Sequence, residues 1–250
     1  MKIDFYYWGA QCPINYETVN LLNRFKNNFD ITFHDIDKKE ELAHKKNMFF
    51  PFLTVVDDTW RFFSPLTHEF LTQLSQGVVI REKPYILPLG REKYMGDIVP
   101  LTKENMSLAG KCTGRECPAG CTMKAHFISE YLDGIFGYLN IKDGSLLGGA
   151  EFFPSRLVPY AIPKDDKFAF LTCLYLSSRD YDYKALPLKA LENHLKKDYD
   201  RVYAVSDELG VFPNGNLEWF LEQGYADEGI LSVEPGYCTL HLVCKSLHKA

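Results

Sequence analysis

A single cysteine, Cys12, stands where a β-prone apolar run gives way to a helix pattern. The free N–H groups and the dipole of a helix N-terminus favour a thiolate, which predicts a lowered pKa for this thiol. A Cys-x-x-Cys redox motif needs a second sulfur three residues later, and the chain has Asn15 there. We therefore expect no full dithiol cycle at Cys12.

Cys112, Cys117 and Cys121 form a second group of thiols, in a loop that contains Gly and Pro. Three thiolates can hold zinc or an iron–sulfur cluster if a fourth ligand, such as His126 or Cys12, completes the set. The C-x4-C-x3-C spacing lacks the paired Cys-x2-4-Cys units of structural zinc sites, so a metal is disfavoured. Redox exchange with Cys12, and ordinary loop thiols near a binding cleft, are the other interpretations.

The chain has 250 residues, of which 46% are hydrophobic and 24% charged, and its formal net charge is -5. This length suits one large or two modest globular domains. Without a clustered Lys/Arg excess, nucleic acid is disfavoured as a partner. The N-terminus lacks a charged region followed by an apolar core, and no apolar run reaches about 18 residues, so we expect a cytoplasmic protein outside the membrane. The oligomeric state is not indicated.

Residues 1 to 79 are predicted to form a first domain with alternating strands and helices. Apolar residues at three- and four-residue steps indicate its helices, and β-prone runs indicate its strands. The predicted elements are a strand at 3–8, a helix at 16–29, a strand at 31–37, a helix at 38–46, strands at 49–56 and 60–63, and a helix at 66–74.

This β-α-β-α-β-β-α order, with a thiol at the first strand-to-helix turn and Pro51 opening the third strand, resembles the thioredoxin fold over residues 1 to 78. The resemblance implies a cis peptide bond at Pro51 and a position for that proline beside Cys12. Because Asn15 replaces the resolving cysteine, it also implies a retired redox scaffold kept for structure or partner binding. A monothiol or glutathione-linked role and a plain core cysteine are the alternatives.

The second predicted domain spans residues 80 to 250, and its first residues, 80–94, form a Pro- and Gly-punctuated linker. Asp143-Gly144 is a strong hairpin signal between two strands. The predicted elements are strands at 97–102, 135–141, 146–153 and 168–177, a helix at 188–195, a strand at 201–206, a helix at 217–223 and a strand pair at 230–233 and 239–244.

This order, together with the segments 171–177, 179–185 and Trp-Phe-Leu-Glu-Gln-Gly-Tyr at 219–225, resembles the GNAT N-acetyltransferase superfamily over about residues 95 to 247. The predicted fold class is therefore α/β and α+β, a thioredoxin-like domain followed by a GNAT-like mixed sheet. The resemblance implies acetyl-CoA as cofactor and acetyl transfer to a small-molecule or protein amine.

The resemblance also places the cofactor on the chain. A strand that splays from its neighbour offers main-chain groups to pantetheine amides, and the next helix N-terminus offers N–H groups to the diphosphate. The family's phosphate turn usually contains glycine, whereas here only Ala185 fits, and carboxylates in the turn oppose phosphate unless they point outward. The implied cofactor-binding residues are Leu174, Tyr175, Leu176, Tyr181, Asp182, Tyr183, Lys184 and Ala185.

Acyl transfer to an amine requires a proton acceptor and, for the thiolate, a proton donor. We take Glu151 as the candidate base and Tyr225 as the candidate acid, with a surface or packing role open for each. Two other functions stay open. One is thiol-based redox or metal sensing by Cys12 and the Cys112–Cys121 loop, and the other is a noncatalytic interaction protein.

Overall fold

The computed structural model describes residues 1–78, 80–86, 88–176, 178–211 and 214–248. They form two compact units. The first unit consists of Met1–Lys83, Cys117–Ile128 and Pro159–Ala161, and the second of Pro84–Glu116, Ser129–Val158 and Ile162–Ala250. The two later stretches of the first unit are not part of the predicted first domain, whose last residue, Val79, lies outside the described residues.

The first unit contains a four-stranded sheet in the order β2-β1-β3-β4. Strand β1 pairs in parallel with β2 and antiparallel with β3, and β4 runs antiparallel to β3. Its elements are β1 (Lys2–Tyr7), α1 (Pro13–Arg24), β2 (Asp30–Asp35), α2 (Glu40–Lys45), β3 (Phe52–Val56), β4 (Trp60–Phe62) and α3 (His68–Ser75). The predicted order of elements is confirmed, but α1 ends at Arg24 rather than at 29, because the chain turns where Phe25 N donates to Leu22 O.

Helix α4 (Pro118–Ser129) lies in the first unit as far as Ile128. Its aromatic residue explains why, since the Phe127 ring meets Trp8 edge-on with 6.3 Å between centroids. Tyr160, from the third stretch of this unit, meets the same indole at 5.6 Å. These contacts bury Trp8 at the end of β1, and such contacts between distant parts of the chain leave no periodic signal in sequence.

The second unit is built on a seven-stranded mixed sheet in the order β12-β13-β11-β9-β8-β7-β6. Its neighbouring strands are antiparallel except for β9 and β11. A separate two-stranded pair joins β5 and β10. The elements are β5 (Glu92–Lys93), β6 (Asp97–Leu101), β7 (Gly137–Lys142), β8 (Ser145–Pro154), β9 (Phe168–Tyr175), β10 (Tyr181–Asp182), α5 (Ala185–Leu195), β11 (Arg201–Asp207), α6 (Leu217–Glu222), β12 (Ala226–Glu234) and β13 (Cys238–Ser246).

Turn chemistry fixes several of these boundaries as predicted. Asp143 and Gly144 both have positive φ between β7 and β8, which is the geometry of a two-residue hairpin. Helix α5 starts at Ala185, earlier than predicted, with Pro187 in its first turn. Strand β9 ends at Tyr175, and the predicted strand end at Ser177 lies outside the described residues.

Among the described residues, no helix is long and apolar enough to cross a bilayer.

Candidate functional site

The two parallel strands of the large sheet separate soon after they meet. Strands β9 and β11 pair only at Phe168–Phe170 with Arg201–Tyr203. Beyond that point their main chains are bridged by a side chain, because Asn214 Oδ1 accepts from Leu174 N at 3.2 Å and Asn214 Nδ2 donates to Val205 O at 2.9 Å. The opening between the strands, which we call the wedge, therefore holds one amide group at this level.

The end of β9 carries backbone strain next to the wedge. Leu176 has a φ of 62°, a left-handed conformation that is uncommon for residues with a β-carbon. Leu174 and Tyr175 before it are buried. Strain of this kind concentrates at functional sites, so Leu174–Leu176 stays a candidate binding segment.

The N-terminus of α5 is occupied by the chain's own carboxylate. Asp182 Oδ1 accepts from the backbone N of Lys184 at 2.8 Å and of Ala185 at 3.0 Å, and Asp182 Oδ2 accepts from Trp219 Nε1 at 2.7 Å. Asp182 is only 2% exposed. The carboxylate points inward and binds the N–H groups that the resemblance to the GNAT superfamily had implied for a phosphate.

Lys184 is buried beside this carboxylate. Its Nζ donates to Asn214 O at 3.0 Å and lies 4.6 Å from the centre of the Trp219 ring. Burial lowers the pKa of Lys184 to about 8, against the attraction of Asp182, which raises it. The side chain therefore faces inward, where it balances the charge of Asp182.

Three tyrosine rings cover the turn before α5. Tyr181 and Tyr183 are stacked with 5.9 Å between centroids, and Tyr94 meets their edges at 5.2 and 5.8 Å. The chain also passes very close at Gly90, where an added Cβ would lie 2.1 Å from Tyr181 N. The outer side of the turn is therefore filled by protein.

The two candidate catalytic residues lie on opposite faces of the sheet. Helix α5 covers the face of Tyr138, whose ring is 6.1 Å from that of His194, and Tyr138 pairs with Ala150. Because side chains alternate along a strand, Glu151 points to the other face. It is 1% exposed there and lies next to Tyr175, whose pKa is raised by burial and then by this carboxylate.

Tyr225 lies instead on the α5 side. Burial raises its pKa well above the ordinary value, and Glu192 of α5 adds to the effect. Lys245 Nζ is 5.3 Å from the centre of the Tyr225 ring and forms an ion pair with Glu192 at 2.7 Å. Tyr225 is thus part of a buried polar cluster under α5, and the structure does not bring it together with Glu151.

At the first unit's thiol, the position of the missing cysteine is used for structure. Asn15 Nδ2 donates to Gly9 O at 3.0 Å and Pro51 O at 3.2 Å, so one amide connects the motif loop to the residue just before β3. Cys12 is 6% exposed at the N-terminus of α1. The cis form of the peptide bond at Pro51 stays a prediction.

The three cysteines of the loop are divided between the two units. Cys112 belongs to the second unit, where it adds to the rise in the pKa of Tyr175, whereas Cys117 and Cys121 belong to the first. Cys117 Sγ lies 3.7 Å from Pro13 O, and burial, followed by Glu17, raises its pKa to about 12. Among the described residues, no three Cys, His, Asp or Glu side chains converge as metal ligands. The metal interpretation therefore finds no site in this part of the chain.

A cleft of about 540 Å³ is lined by α5 and by residues of neighbouring elements, among them Glu192 and Lys245 of the polar cluster under α5. Lysines line it from several elements, and Ala185 is the predicted site residue that reaches it. The lining includes Lys93, Lys189, Lys196, Lys245 and His248.

Two residues organise the site in roles that the sequence did not predict. Asn214 and Trp219 reach Leu174 and Asp182 over sequence separations of 40 and 37 residues. The N-cap of α6 has a local signal, since Asn216 Oδ1 accepts from Trp219 N. No local pattern indicates that Asn214, two residues earlier, bridges two strands.

No family model and no curated protein matches the sequence. Among solved structures, the chain is similar to the aminoglycoside 6'-N-acetyltransferase from Enterococcus faecium at 14% identity and a TM-score of 0.44, over 62% of this chain and 98% of that one. It is similar to the ribosomal-protein-alanine N-acetyltransferase from Brucella melitensis at 14% identity and a TM-score of 0.44, over 60% of this chain and 99% of that one. It is also similar to a GNAT-like decarboxylase in complex with isobutyryl-CoA at 15% identity and a TM-score of 0.44, over 61% of this chain and 100% of that one.

Proposed function

We propose that the second unit is a GNAT-type N-acyltransferase that binds a pantetheine thioester such as acetyl-CoA in the wedge and transfers its acyl group to an amine. The observation that carries this proposal is the separation of β9 and β11 after three paired residues, in a mixed sheet where α5 follows β9. Separated parallel strands leave main-chain donors and acceptors for a ligand that lies between them.

The wedge fits the amide part of such a ligand. Leu174 N–H and Val205 C=O already pair with one amide, that of Asn214, so a pantetheine amide of the same polarity matches the same two groups. To use them, the ligand must replace that side chain. The diphosphate part fits poorly, because Asp182 already accepts from Lys184 N and Ala185 N.

A bound thioester supplies an activated acyl carbon and a thiol leaving group. In the transfer, the C–N bond to the amine forms and the C–S bond breaks. The acceptor ammonium loses two protons, one to a base before the attack and one that ends on the departing thiolate, which leaves as the free thiol. We assign the first proton to Glu151, which lies on β8 directly opposite Cys173 of β9. Tyr225, packed against Glu192 on the other face, is assigned a structural role.

Binding is tested by titrating acetyl-CoA into the full chain and following heat and thermal unfolding. At a ligand concentration of about 100 Kd, the second unit should gain roughly 2.7 kcal/mol. That gain corresponds to an increase of about 5–10 °C in the melting temperature of a unit of this size. No saturable heat and no thermal shift at millimolar ligand would remove the proposal.

The catalytic assignment is tested with two variants that preserve shape. Glu151→Gln should lower kcat by about a hundredfold or more, the range of general-base catalysis. Tyr225→Phe is the matched control and should leave kcat within about threefold. Release of free thiol from acetyl-CoA, with a panel of small amines and lysine peptides as acceptors, measures both. A Glu151→Gln enzyme with unchanged kcat would disprove the role of this carboxylate.

The closed wedge favours a second candidate function. If Asn214 and Asp182 keep their partners in every state, the second unit is a noncatalytic interaction protein. The same titration separates the two, because that candidate requires that acetyl-CoA neither binds nor is consumed. A redox function is disfavoured by the burial of Cys12 and by the high pKa of Cys117.

We infer that the first unit is a thioredoxin-like scaffold without dithiol chemistry. Three observations support this: the strand order β2-β1-β3-β4, the buried Cys12, and the structural hydrogen bonds of Asn15. Native protein should react with a thiol reagent at Cys12 much more slowly than unfolded protein, because the reagent needs an accessible thiolate. Fast reaction that disappears in Cys12→Ser would contradict the inference.

A further inference from the structure

We propose that this chain selects its acyl donor by the pantetheine arm alone and does not recognise the diphosphate of coenzyme A. This inference rests on the proposed function. The ligand class is a pantetheine thioester, whether the arm is part of free coenzyme A, ends in a single phosphate or carries none. The residue that decides this specificity is Asp182.

Asp182 occupies the place of an anion at the start of α5. Phosphates bind at helix N-termini because free N–H groups and the helix dipole point at them. Two of those groups in α5 are the N–H of Lys184 and of Ala185, and both donate to Asp182 Oδ1. A diphosphate would have to compete with a carboxylate that is attached to the same turn.

Asp182 is also held in place from other directions. Its second oxygen accepts from Trp219 Nε1 at 2.7 Å, and Trp219 is itself buried in α6. Lys184, 2% exposed, supplies the opposite charge and is fixed to Asn214 O at 3.0 Å. Removing one member of such a group leaves a buried charge or donor without compensation, which is costly.

The outside of the same turn is covered by aromatic rings. The stacked rings of Tyr181 and Tyr183 and the crossing ring of Tyr94 lie there. The parallel pairing of β10 with β5 keeps this chain segment against the turn. A diphosphate therefore meets tyrosine rings on the outer side, and on the inner side the N–H groups of Lys184 and Ala185 are bonded to Asp182.

Main-chain groups that can recognise neutral amides are retained in the wedge. Leu174 N–H and Val205 C=O face an amide across the wedge, and both are main-chain groups that no side-chain change removes. The arrangement thus separates the two halves of coenzyme A. The groups for pantetheine are paired with the neutral amide of Asn214, which a ligand amide can replace with the same polarity. The N–H groups of Lys184 and Ala185 are paired with a carboxylate that Trp219 also holds, and a diphosphate would have to displace that charge.

The experiment compares three donors on the full chain by calorimetry: acetyl-CoA, acetyl-pantetheine phosphate and acetyl-pantetheine. A site that bound the diphosphate through two charge-assisted hydrogen bonds would prefer acetyl-CoA by about a hundredfold or more. We expect dissociation constants that agree within about tenfold across the three donors. A preference for acetyl-CoA above that limit would overturn the inference and leave the proposed function intact.

A substitution tests the residue itself. Asp182→Asn removes the negative charge and should increase the preference for acetyl-CoA over acetyl-pantetheine by about tenfold. Asp180→Asn is the matched control, because Asp180 is an exposed carboxylate of the same turn and should change neither constant. If Asp182→Asn does not fold, the donor series on the unmodified chain decides the question alone. Binding of none of the donors would overturn this inference and the proposed function together.

Discussion

Asn214 offers the sharpest test of the wedge. Its side chain is 2% exposed and forms hydrogen bonds to both separated strands, to Leu174 N and Val205 O. Asn214→Ala removes both bonds and leaves a buried N–H and a buried C=O behind. The same substitution vacates the position that the proposed ligand amide requires. It should therefore weaken the free protein and strengthen ligand binding.

The size of the first effect follows from the burial of those two groups. An unsatisfied buried donor or acceptor costs about 1–3 kcal/mol, so the loss of both partners should lower the free energy of unfolding of the second unit by roughly 2–6 kcal/mol. At about 2–4 °C per kcal/mol, the melting temperature falls by roughly 4–24 °C. Asn193→Ala, at an exposed position on α5, is the control and should change stability by less than about 0.5 kcal/mol.

The second effect is measured with acetyl-CoA. In Asn214→Ala the ligand no longer has to displace a side chain, and it supplies hydrogen-bond partners for Leu174 N–H and Val205 C=O. The affinity of this variant for acetyl-CoA should therefore rise by about tenfold. Hydrogen exchange of the Leu174 amide gives a separate readout. Exchange should accelerate in the free variant and slow again when acetyl-CoA binds.

One result would refute this reasoning. If Asn214→Ala binds acetyl-CoA more weakly than the unmodified chain, Asn214 holds the strands at the right spacing for the ligand rather than competing with it. If the Leu174 amide exchanges equally fast in both proteins, the hydrogen bond from Leu174 N to Asn214 does not control this part of the sheet.

Three other predictions concern buried groups. Burial lowers the pKa of Lys184 to about 8, so above that pH the unfolded chain binds more protons than the folded chain and stability rises with pH. Between about pH 7.5 and about pH 9.5, the free energy of unfolding should rise by about 2 kcal/mol relative to Lys184→Met, measured by denaturant unfolding. A constant difference across that range would contradict the burial of the amine. The pKa of Cys117, raised from 9.0 to about 12, predicts alkylation at pH 8 about a thousandfold slower than in the unfolded chain, measured by mass spectrometry. Equal rates would show that the thiol is not held as described. Trp219→Phe removes the donor to Asp182 and should lower the free energy of unfolding by about 1–3 kcal/mol. The control Trp60→Phe, at a 46% exposed position, should lower it little. Similar losses in both variants would disprove the role of the indole N–H.

Local patterns in the sequence predicted most elements and their order. The apolar run of β9, the Asp143-Gly144 turn and the helix face of α5 each depend on neighbouring residues, so periodicity and turn chemistry could identify them. The absence of a resolving cysteine at Asn15 was also readable directly. Its use as a structural hydrogen-bond donor was not, because the acceptor Pro51 O is 36 residues away.

The composition of the turn before α5 was visible in sequence, but the direction of its side chains was not. The prediction could state that Asp182 would oppose a phosphate unless it pointed outward. Only the tertiary structure decided that it points inward, because its direction depends on Trp219, 37 residues later in the chain. The same holds for Asn214 in the wedge and for α4 in the first unit. Periodicity reports which side of an element is buried, whereas the identity of the group buried against it is set by the packing of distant segments.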